Sequence, residues 1–130
     1  RRLSSAASDV YKRQLKTGAL IAASAEAGAI CASASTAQRL ALVKFATAIG
    51  LAFQVMDDVL DVTGDSDSLG KTAGKDIKAK KSTYVSALGL AGAKKEADRL
   101  LNAALEALDI FGDRADPLRK LARQMVHRRA

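Results

Sequence analysis

Three aspartates stand close together in an otherwise apolar stretch of the sequence, FQVMDDVLD at positions 53–61. If this stretch is helical, Asp57 and Asp61 lie one turn apart on the same face, and Asp58 lies about 100° around the axis. Like charges at this spacing repel, and burying them unpaired costs several kcal/mol, so a cation is expected between them. Because Mg²⁺ prefers oxygen ligands and is usually held by one or two carboxylates and substrate phosphates, the sequence predicts a magnesium site here.

The segment that follows the aspartates is rich in lysine and glycine, and its lysines are Lys71, Lys75, Lys78, Lys80 and Lys81. Ammonium groups and the backbone N–H groups of such a loop bind phosphoryl groups. Carboxylates, metal, phosphate and lysines together form one consistent site. A solvated acidic helix end followed by a lysine loop has the same pattern, and this interpretation stays open.

Two other motifs in the same segment are incomplete. GDSDSLGKT at 64–72 has five residues between the first glycine and Gly-Lys-Thr, where a P-loop has four, and it follows a predicted helix where a P-loop follows a strand. Asp65, Asp67, Gly70 and Asp76 match four positions of an EF-hand loop, but Leu69 replaces an oxygen ligand and the last residue is not glutamate. We therefore expect neither a P-loop nor a calcium loop.

The composition indicates helices as the elements that position these residues. Of 130 residues, 48% are hydrophobic, only 4% are aromatic and one is proline, which favours a single all-α domain. We predict helices at 15–33, 36–62 and 84–111, the last with an interruption at 89–92, and a polar loop at 63–82. A polar break at 33–36 supplies an N-cap, and after a turn at 112–116, Pro117 suits the first turn of a final helix that ends near Arg129.

The spacing of apolar residues predicts that the helix over 36–62 is mostly buried. The expected buried positions are Leu40, Val43, Ala46, Ile49, Gly50, Phe53, Met56 and Leu60. The single cysteine, Cys31, is expected in the core, and His127 is expected at the surface without a partner.

Residues 4–14, SSAASDVYKRQ, resemble the in-frame translation of a transposase adapter used in sequencing-library preparation. We therefore predict a non-native segment over 1–14 and a domain over 15–130. Residues 1–14 contain four basic residues and one acidic residue, so without them the net charge falls from +7 to +4. This modest charge does not call for nucleic acid as a partner, and the short apolar runs predict a soluble cytoplasmic protein with no membrane contact.

Several motifs occur together in one order: KTG at 16–18, FQVMDDVLDVTGD at 53–65, LGKTAGKD at 69–76, KKSTY at 80–84 and LARQMVHRR at 121–129. This set resembles the trans-prenyl diphosphate synthases, bacterial farnesyl diphosphate synthases in particular, and the aspartates match the second aspartate-rich motif of that family. The resemblance implies the all-α isoprenoid synthase bundle. Residues 15–130 would be its C-terminal part, without the first aspartate-rich motif.

The resemblance also implies an activity and roles for residues. Such enzymes condense an allylic diphosphate with isopentenyl diphosphate, assisted by Mg²⁺, and the full-length protein would be a homodimer. Asp57 would bind Mg²⁺ directly, while Asp58 and Asp61 would bind it or order its waters. The other expected site residues are Lys16, Lys71 and Lys81 around the allylic diphosphate, Thr17 and Gln54 where the allylic cation forms, and Arg128 near the isopentenyl diphosphate.

Two departures from the family pattern concern the loop: Lys80 stands where glycine is usual, and Val85 where proline is usual. The chain alone, without the first aspartate-rich motif, is expected to be inactive.

Two alternatives belong to other functional classes. One is a small basic helical module that binds nucleic acid or an acidic partner, and the other is an inactive regulatory subunit of a prenyl synthase.

Overall fold

The computed structural model describes residues 5–68 and 84–128, with side chains over 16–63 and 84–128. Every element in these ranges is helical, which confirms the all-α prediction. The elements are α1 (Ser5–Cys31), α2 (Thr36–Ser68), α3 (Tyr84–Ala107), a 3-10 helix (Asp109–Ala115) and α4 (Asp116–Val126).

Helix α2 lies at the centre of the bundle, and α1 and α3 pack along it. Helix α4 packs against both α2 and α3. The core is apolar throughout the described side chains. Its largest fully buried members come from α2, from the residue that follows α3 and from α4: Ile49, Val55, Val59, Leu108 and Val126. Because each of these side chains contributes roughly 1.5–3 kcal/mol by its burial, α2 is the element on which the fold depends most.

The buried face of α2 differs in part from the predicted one. Ala46, Ile49 and Gly50 are buried as expected, but Leu40 is 66% exposed. The remaining predicted positions are only half-buried, and the most buried line instead runs through Phe45, Ile49, Ala52, Val55 and Val59. Because α2 is apolar on several sides, its own periodicity does not determine which side α3 covers.

The connection between α1 and α2 is determined by local capping. Ser33 adopts φ 51°, and the N–H groups of Ser33 and Ala34 donate to the carbonyls of Ile30 and Ala29. These are the two hydrogen bonds of a Schellman motif, here with serine at the left-handed position. The Gln38 N–H donates to Ser35 Oγ at 3.2 Å and the Ser35 N–H donates to Gln38 Oε1 at 2.9 Å, a capping box that confirms the predicted N-cap at this break.

Helix α2 extends beyond its predicted end. The sequence predicts a loop from Thr63, but α2 continues to Ser68. The Thr63 hydroxyl donates to the Val59 carbonyl at 3.0 Å, so this side chain is satisfied within the helix. A single glycine such as Gly64 costs only about 1 kcal/mol, which the packing of a long helix overrides. The rest of the predicted loop, residues 69–82, lies outside the described residues.

The breaks in the second half follow the predicted glycines and proline. Gly89 has φ 73° inside α3 and kinks it where an interruption is predicted. Gly112 has φ 57° inside the 3-10 helix, and Pro117 lies in the first turn of α4. A positive φ is favourable at glycine, and proline lacks the N–H that the first turn of a helix leaves unpaired, so these three positions were predictable from residue types. The predicted ends were less accurate, because α3 ends at Ala107 and not at 111, a 3-10 helix covers most of the predicted turn at 112–116, and α4 ends at Val126 and not near Arg129.

Cys31 is exposed, so its prediction as a core residue is wrong. Ala29 is the buried residue at this end of α1, and Cys31 lies two positions and therefore about 200° around the helix from it.

The segment Thr36–Thr63 of α2 contains an 18-residue window with a mean hydropathy of 1.5, and it is long and apolar enough to cross a membrane by length and composition alone. The prediction from short apolar runs did not take this into account, because scattered polar residues interrupt the runs. The core helix of a bundle passes the same test, and α2 packs against α1 and α3, so this property alone assigns no membrane contact.

Helices α1 and α2 approach each other closely at Gly18 and Gly50. A Cβ built on Gly50 would lie 3.1 Å from Gly18 Cα, whereas one on Gly28 would meet nothing within 4 Å. We expect Gly50→Ala to lower the free energy of unfolding by roughly 1–3 kcal/mol, because the obstructing atom is backbone. Gly28→Ala is the matched control and is expected to leave stability unchanged or raise it by up to about 1 kcal/mol. Urea unfolding of the chain measures both, and equal effects of the two substitutions would contradict the close approach.

Candidate active site

The end of α2 presents an acidic face on the side away from the core. Val55 and Val59 are buried, and at about 100° per residue Asp57 and Asp61 point nearly opposite to them. Gln54 lies on the same side as Asp57 and Asp61, and Gly50 lies one turn before Gln54. This side of α2, defined by Gly50, Gln54, Asp57 and Asp61, is called the acidic face below.

The middle of α1, at residues 16–18, lies beside the acidic face. The two helices run antiparallel, since Gly18 approaches Gly50 and Glu26 pairs with Arg39 at 2.8 Å. From Gly18, the chain towards Lys16 and Thr17 therefore leads along α2 in the direction of Gln54. Lys16 is exposed and Thr17 is half-buried, as is Gln54. The fold thus brings the three predicted catalytic residues to one side of the bundle, within roughly two helical turns of Asp57.

Asp57 forms an ion pair with Arg128, which follows α4. Arg128 Nη2 donates to Asp57 Oδ1, and the Arg128 guanidinium lies over the Phe53 ring, 4.2 Å from its centroid. The side chains of Arg128 and Asp57 are 30% and 41% exposed, so the pair is accessible to water. Arg128 Nε is buried without a hydrogen-bond partner. Asp57 on the acidic face therefore has a positively charged partner that follows α4 in the chain.

Asp58 serves a different element. Its Oδ2 accepts a hydrogen bond from the Tyr84 N–H at 3.0 Å, which places a carboxylate at the first residue of α3. The first N–H groups of a helix lack partners inside the helix, and a negative charge there is stabilised by the helix dipole. Partial burial, together with the negative charges of Asp58 and Glu96, raises the pKa of the Tyr84 hydroxyl, which therefore stays neutral at physiological pH.

Asp61 is exposed at the outer end of the acidic face. Among the described residues no three His, Cys, Asp or Glu side chains converge as a metal-ligand group. The donors nevertheless suit Mg²⁺, because Asp57 and Asp61 are accessible oxygen ligands one turn apart and Mg²⁺ takes its other ligands from water and phosphate. The structure thus separates the three aspartates: Asp57 and Asp61 lie on the acidic face, and Asp58 turns towards α3.

The two remaining predicted site residues, Lys71 and Lys81, lie outside the described residues. His127 is exposed as predicted, but the expectation that it has no partner is wrong, because its Nε2 lies 3.1 Å from Asp98 Oδ1 on α3. This contact ties the end of α4 to α3, next to Arg128.

Sequence reasoning missed the contacts made by Phe53 and Tyr84. Tyr84 meets Asp58 across 26 positions, and Arg128 meets Asp57 across 71 positions. Neither separation carries a local signal. The one available clue was composition, since an aromatic residue one turn before an aspartate is suited to a guanidinium that binds both.

A helical bundle with an accessible acidic face, an exposed lysine on the neighbouring helix and an arginine in contact with that face suits metal and phosphate binding. The Polyprenyl synthetase family model matches residues 6–115. The chain is 50% identical over 96 residues to a farnesyl diphosphate synthase of Haemophilus influenzae, covering 72% of this chain and 32% of the relative. It is 46% identical over 114 residues to a chloroplastic geranylgeranyl pyrophosphate synthase of Catharanthus roseus, covering 87% and 32%.

The solved structure of an FPP/GFPP synthase from Zymomonas mobilis superimposes with a TM-score of 0.71 at 38% identity, covering 87% of this chain and 36% of that one. The chain belongs to the polyprenyl synthetase family. It spans about a third of the length of the relatives it matches.

Proposed function

We propose that the full-length protein containing this chain is a trans-prenyltransferase that condenses an allylic diphosphate with isopentenyl diphosphate to farnesyl diphosphate. The observation that carries the proposal is the acidic face of α2 with Lys16 of α1 beside it, because the two combine metal-binding oxygens with an exposed ammonium group. The relatives named for such synthases support the reaction class. The relatives include both a farnesyl and a geranylgeranyl synthase, at 50% and 46% identity, and the farnesyl product is proposed from the higher identity over the matched residues.

The reaction breaks the bond between C1 and the diphosphate oxygen of the allylic substrate. The double bond of isopentenyl diphosphate then bonds to C1, and a proton leaves the resulting cation. Bound Mg²⁺ supplies positive charge that neutralises the departing diphosphate. Asp57 and Asp61 would hold the metal, and the exposed Lys16 would bind a diphosphate oxygen through its ammonium group.

The half-buried Thr17 and Gln54 would face the allylic cation. Their side-chain oxygens carry partial negative charge, and dipoles fixed in place before the reaction stabilise a developing charge without reorganising. Their partial burial also limits the access of water, which would otherwise capture the cation. Asp58 would act at one remove, by holding the start of α3.

We also propose that the enzyme is cytoplasmic and forms a homodimer, and that it has no nucleic-acid or membrane partner. Lys71 and Lys81 are proposed as additional diphosphate ligands. We further propose that residues 15–130 are the native domain and that residues 1–14 are an added segment.

The proposal is tested with the full-length gene, read in the source DNA across the codon for Leu15. New coding sequence in place of residues 1–14 is expected, and the protein expressed from it should convert an allylic diphosphate and isopentenyl diphosphate into farnesyl diphosphate. Activity should disappear with EDTA and return with excess Mg²⁺, because carboxylates alone cannot neutralise a leaving diphosphate. Formation of no prenyl product from any allylic diphosphate would refute the reaction, and a longer product would refute only the farnesyl assignment.

A further inference from the structure

Arg128 occupies a special position at the acidic face. It lies two residues beyond the end of α4, yet its guanidinium reaches across to α2, where Nη2 donates to Asp57 Oδ1. The ring of Phe53, one turn before Asp57, lies 4.2 Å from the guanidinium carbon. Two neighbouring positions of one helix thus hold a single cation against one carboxylate oxygen.

The contact between Arg128 and Asp57 is weakly held. Both side chains remain partly exposed, at 30% and 41%, and ion pairs in contact with water contribute little to stability. In addition, Arg128 Nε is buried without a partner, which opposes the arrangement. The Arg128 guanidinium is stabilised in this position by two interactions, the ion pair with Asp57 and the cation–π contact with the Phe53 ring.

A divalent cation on Asp57 would compete with Arg128. Asp57 Oδ1 is already engaged by Nη2, and a metal ion on the same carboxylate would lie within a few ångströms of the guanidinium, where like charges repel strongly. Unlike the metal ion, Arg128 is covalently attached to the chain. The backbone next to it is constrained, because the preceding residue, His127, contacts Asp98 on α3 at 3.1 Å. The side chain of Arg128 can therefore move away while α4 stays in place.

We propose that Arg128 is a placeholder cation for Asp57: it neutralises the carboxylate in the metal-free protein and is displaced when a divalent metal binds. The proposal rests on the assignment of Asp57 as a metal ligand in the proposed function. It adds a coupling, because any ligand that releases Arg128 also strengthens metal binding, and metal binding in turn frees the guanidinium for another anion. The opposite role, in which Arg128 holds Asp57 in position for the metal, predicts effects of opposite sign.

The first measurement is a Mn²⁺ titration of the full-length protein by electron paramagnetic resonance, with Mn²⁺ standing in for Mg²⁺. Arg128→Gln is expected to tighten Mn²⁺ binding by about three- to tenfold, since it removes a competing ion pair of modest strength. Arg123→Gln, an exposed arginine on α4, is the matched control and should change the affinity by less than about twofold. Unchanged or weaker Mn²⁺ binding by Arg128→Gln would overturn the proposal.

A second measurement follows the arginine itself. The Nε–H signal of Arg128 is assigned in NMR spectra by its absence in the Arg128→Lys variant. This signal should shift as Mg²⁺ is added, and the midpoint of the shift should coincide with the midpoint of metal binding. In the Asp57→Asn variant, Arg128→Gln should no longer change Mn²⁺ affinity. An Nε–H signal that stays constant up to metal saturation, or an Arg128→Gln effect that persists without Asp57, would refute displacement at this carboxylate.

These outcomes are separate from those of the prenyl transfer assay. Failure of the full-length enzyme to form a prenyl product, with the metal response of Arg128 intact, would refute the proposed reaction and leave the placeholder role. An active enzyme in which Arg128→Gln weakens Mn²⁺ binding would refute the placeholder role alone.

Discussion

Replacing Asp57 by asparagine is expected to lower the rate of prenyl transfer by the full-length protein at least about 100-fold, since even indirect partners of a metal change activity about 10- to 100-fold. Asparagine keeps the shape of the side chain and an acceptor for Arg128, so the fold around the acidic face should persist. It removes the negative charge on which a hard divalent cation depends. The loss should therefore appear in turnover and in Mg²⁺ affinity, measured by steady-state assays at several Mg²⁺ concentrations.

The matched control for this change is Asp113→Asn. Asp113 is exposed in the 3-10 helix, away from the acidic face, and its replacement should leave turnover unchanged within about twofold. Circular dichroism and urea unfolding of both variants separate a loss of function from a loss of fold. If Asp57→Asn retained near-normal turnover at low Mg²⁺, the assignment of Asp57 as a metal ligand would be wrong.

The helices of this protein were predictable where their ends depend on local chemistry. Ser35 and Gln38 form a capping box within four residues, and Gly89, Gly112 and Pro117 stand where the backbone needs them. Each of these signals involves residues close in the sequence. The prediction failed at the C-terminal end of α2, where Thr63 and Gly64 resemble loop residues but remain helical.

Burial within α2 was harder to predict, because the choice of face depends on a partner helix. Leu40 fits the apolar spacing but lies 66% exposed, and Val55, which the spacing omitted, is fully buried. A helix that is apolar on several sides offers more than one line at a spacing of three and four residues. Which line becomes the core follows from the position of α3.

The candidate site shows the same division between local and distant information. The sequence predicted the residue types, three carboxylates at the end of a buried helix, and the fold places Asp57 and Asp61 together on one face. The sequence did not reveal that Asp58 accepts a hydrogen bond from the first residue of α3, or that Asp57 forms an ion pair with an arginine. Both partners, Tyr84 and Arg128, come from distant parts of the chain.

Asp58 is expected to tolerate asparagine but not alanine. Alanine removes the acceptor for the Tyr84 N–H and should lower the free energy of unfolding by about 1–2 kcal/mol, the usual cost of losing a helix cap. Asparagine caps a helix about as well as aspartate and loses only the interaction of its charge with the helix dipole, about 0.3–1 kcal/mol. Urea unfolding measures both, and Asp61→Ala, an exposed aspartate one turn later on α2, should have little effect.

Activity separates the structural role of Asp58 from metal ligation. If Asp58 acts by holding the start of α3, the Asp58→Asn enzyme should keep turnover within about tenfold of the parent, while Asp57→Asn should not. Both replacements of Asp58 remove one negative charge near Tyr84, so the raised pKa of its hydroxyl should fall but stay above its ordinary value, because burial is the larger cause. An Asp58→Asn variant as inactive as Asp57→Asn, but with its stability retained, would show that the charge of Asp58 is needed for catalysis and that anchoring α3 is not its main role.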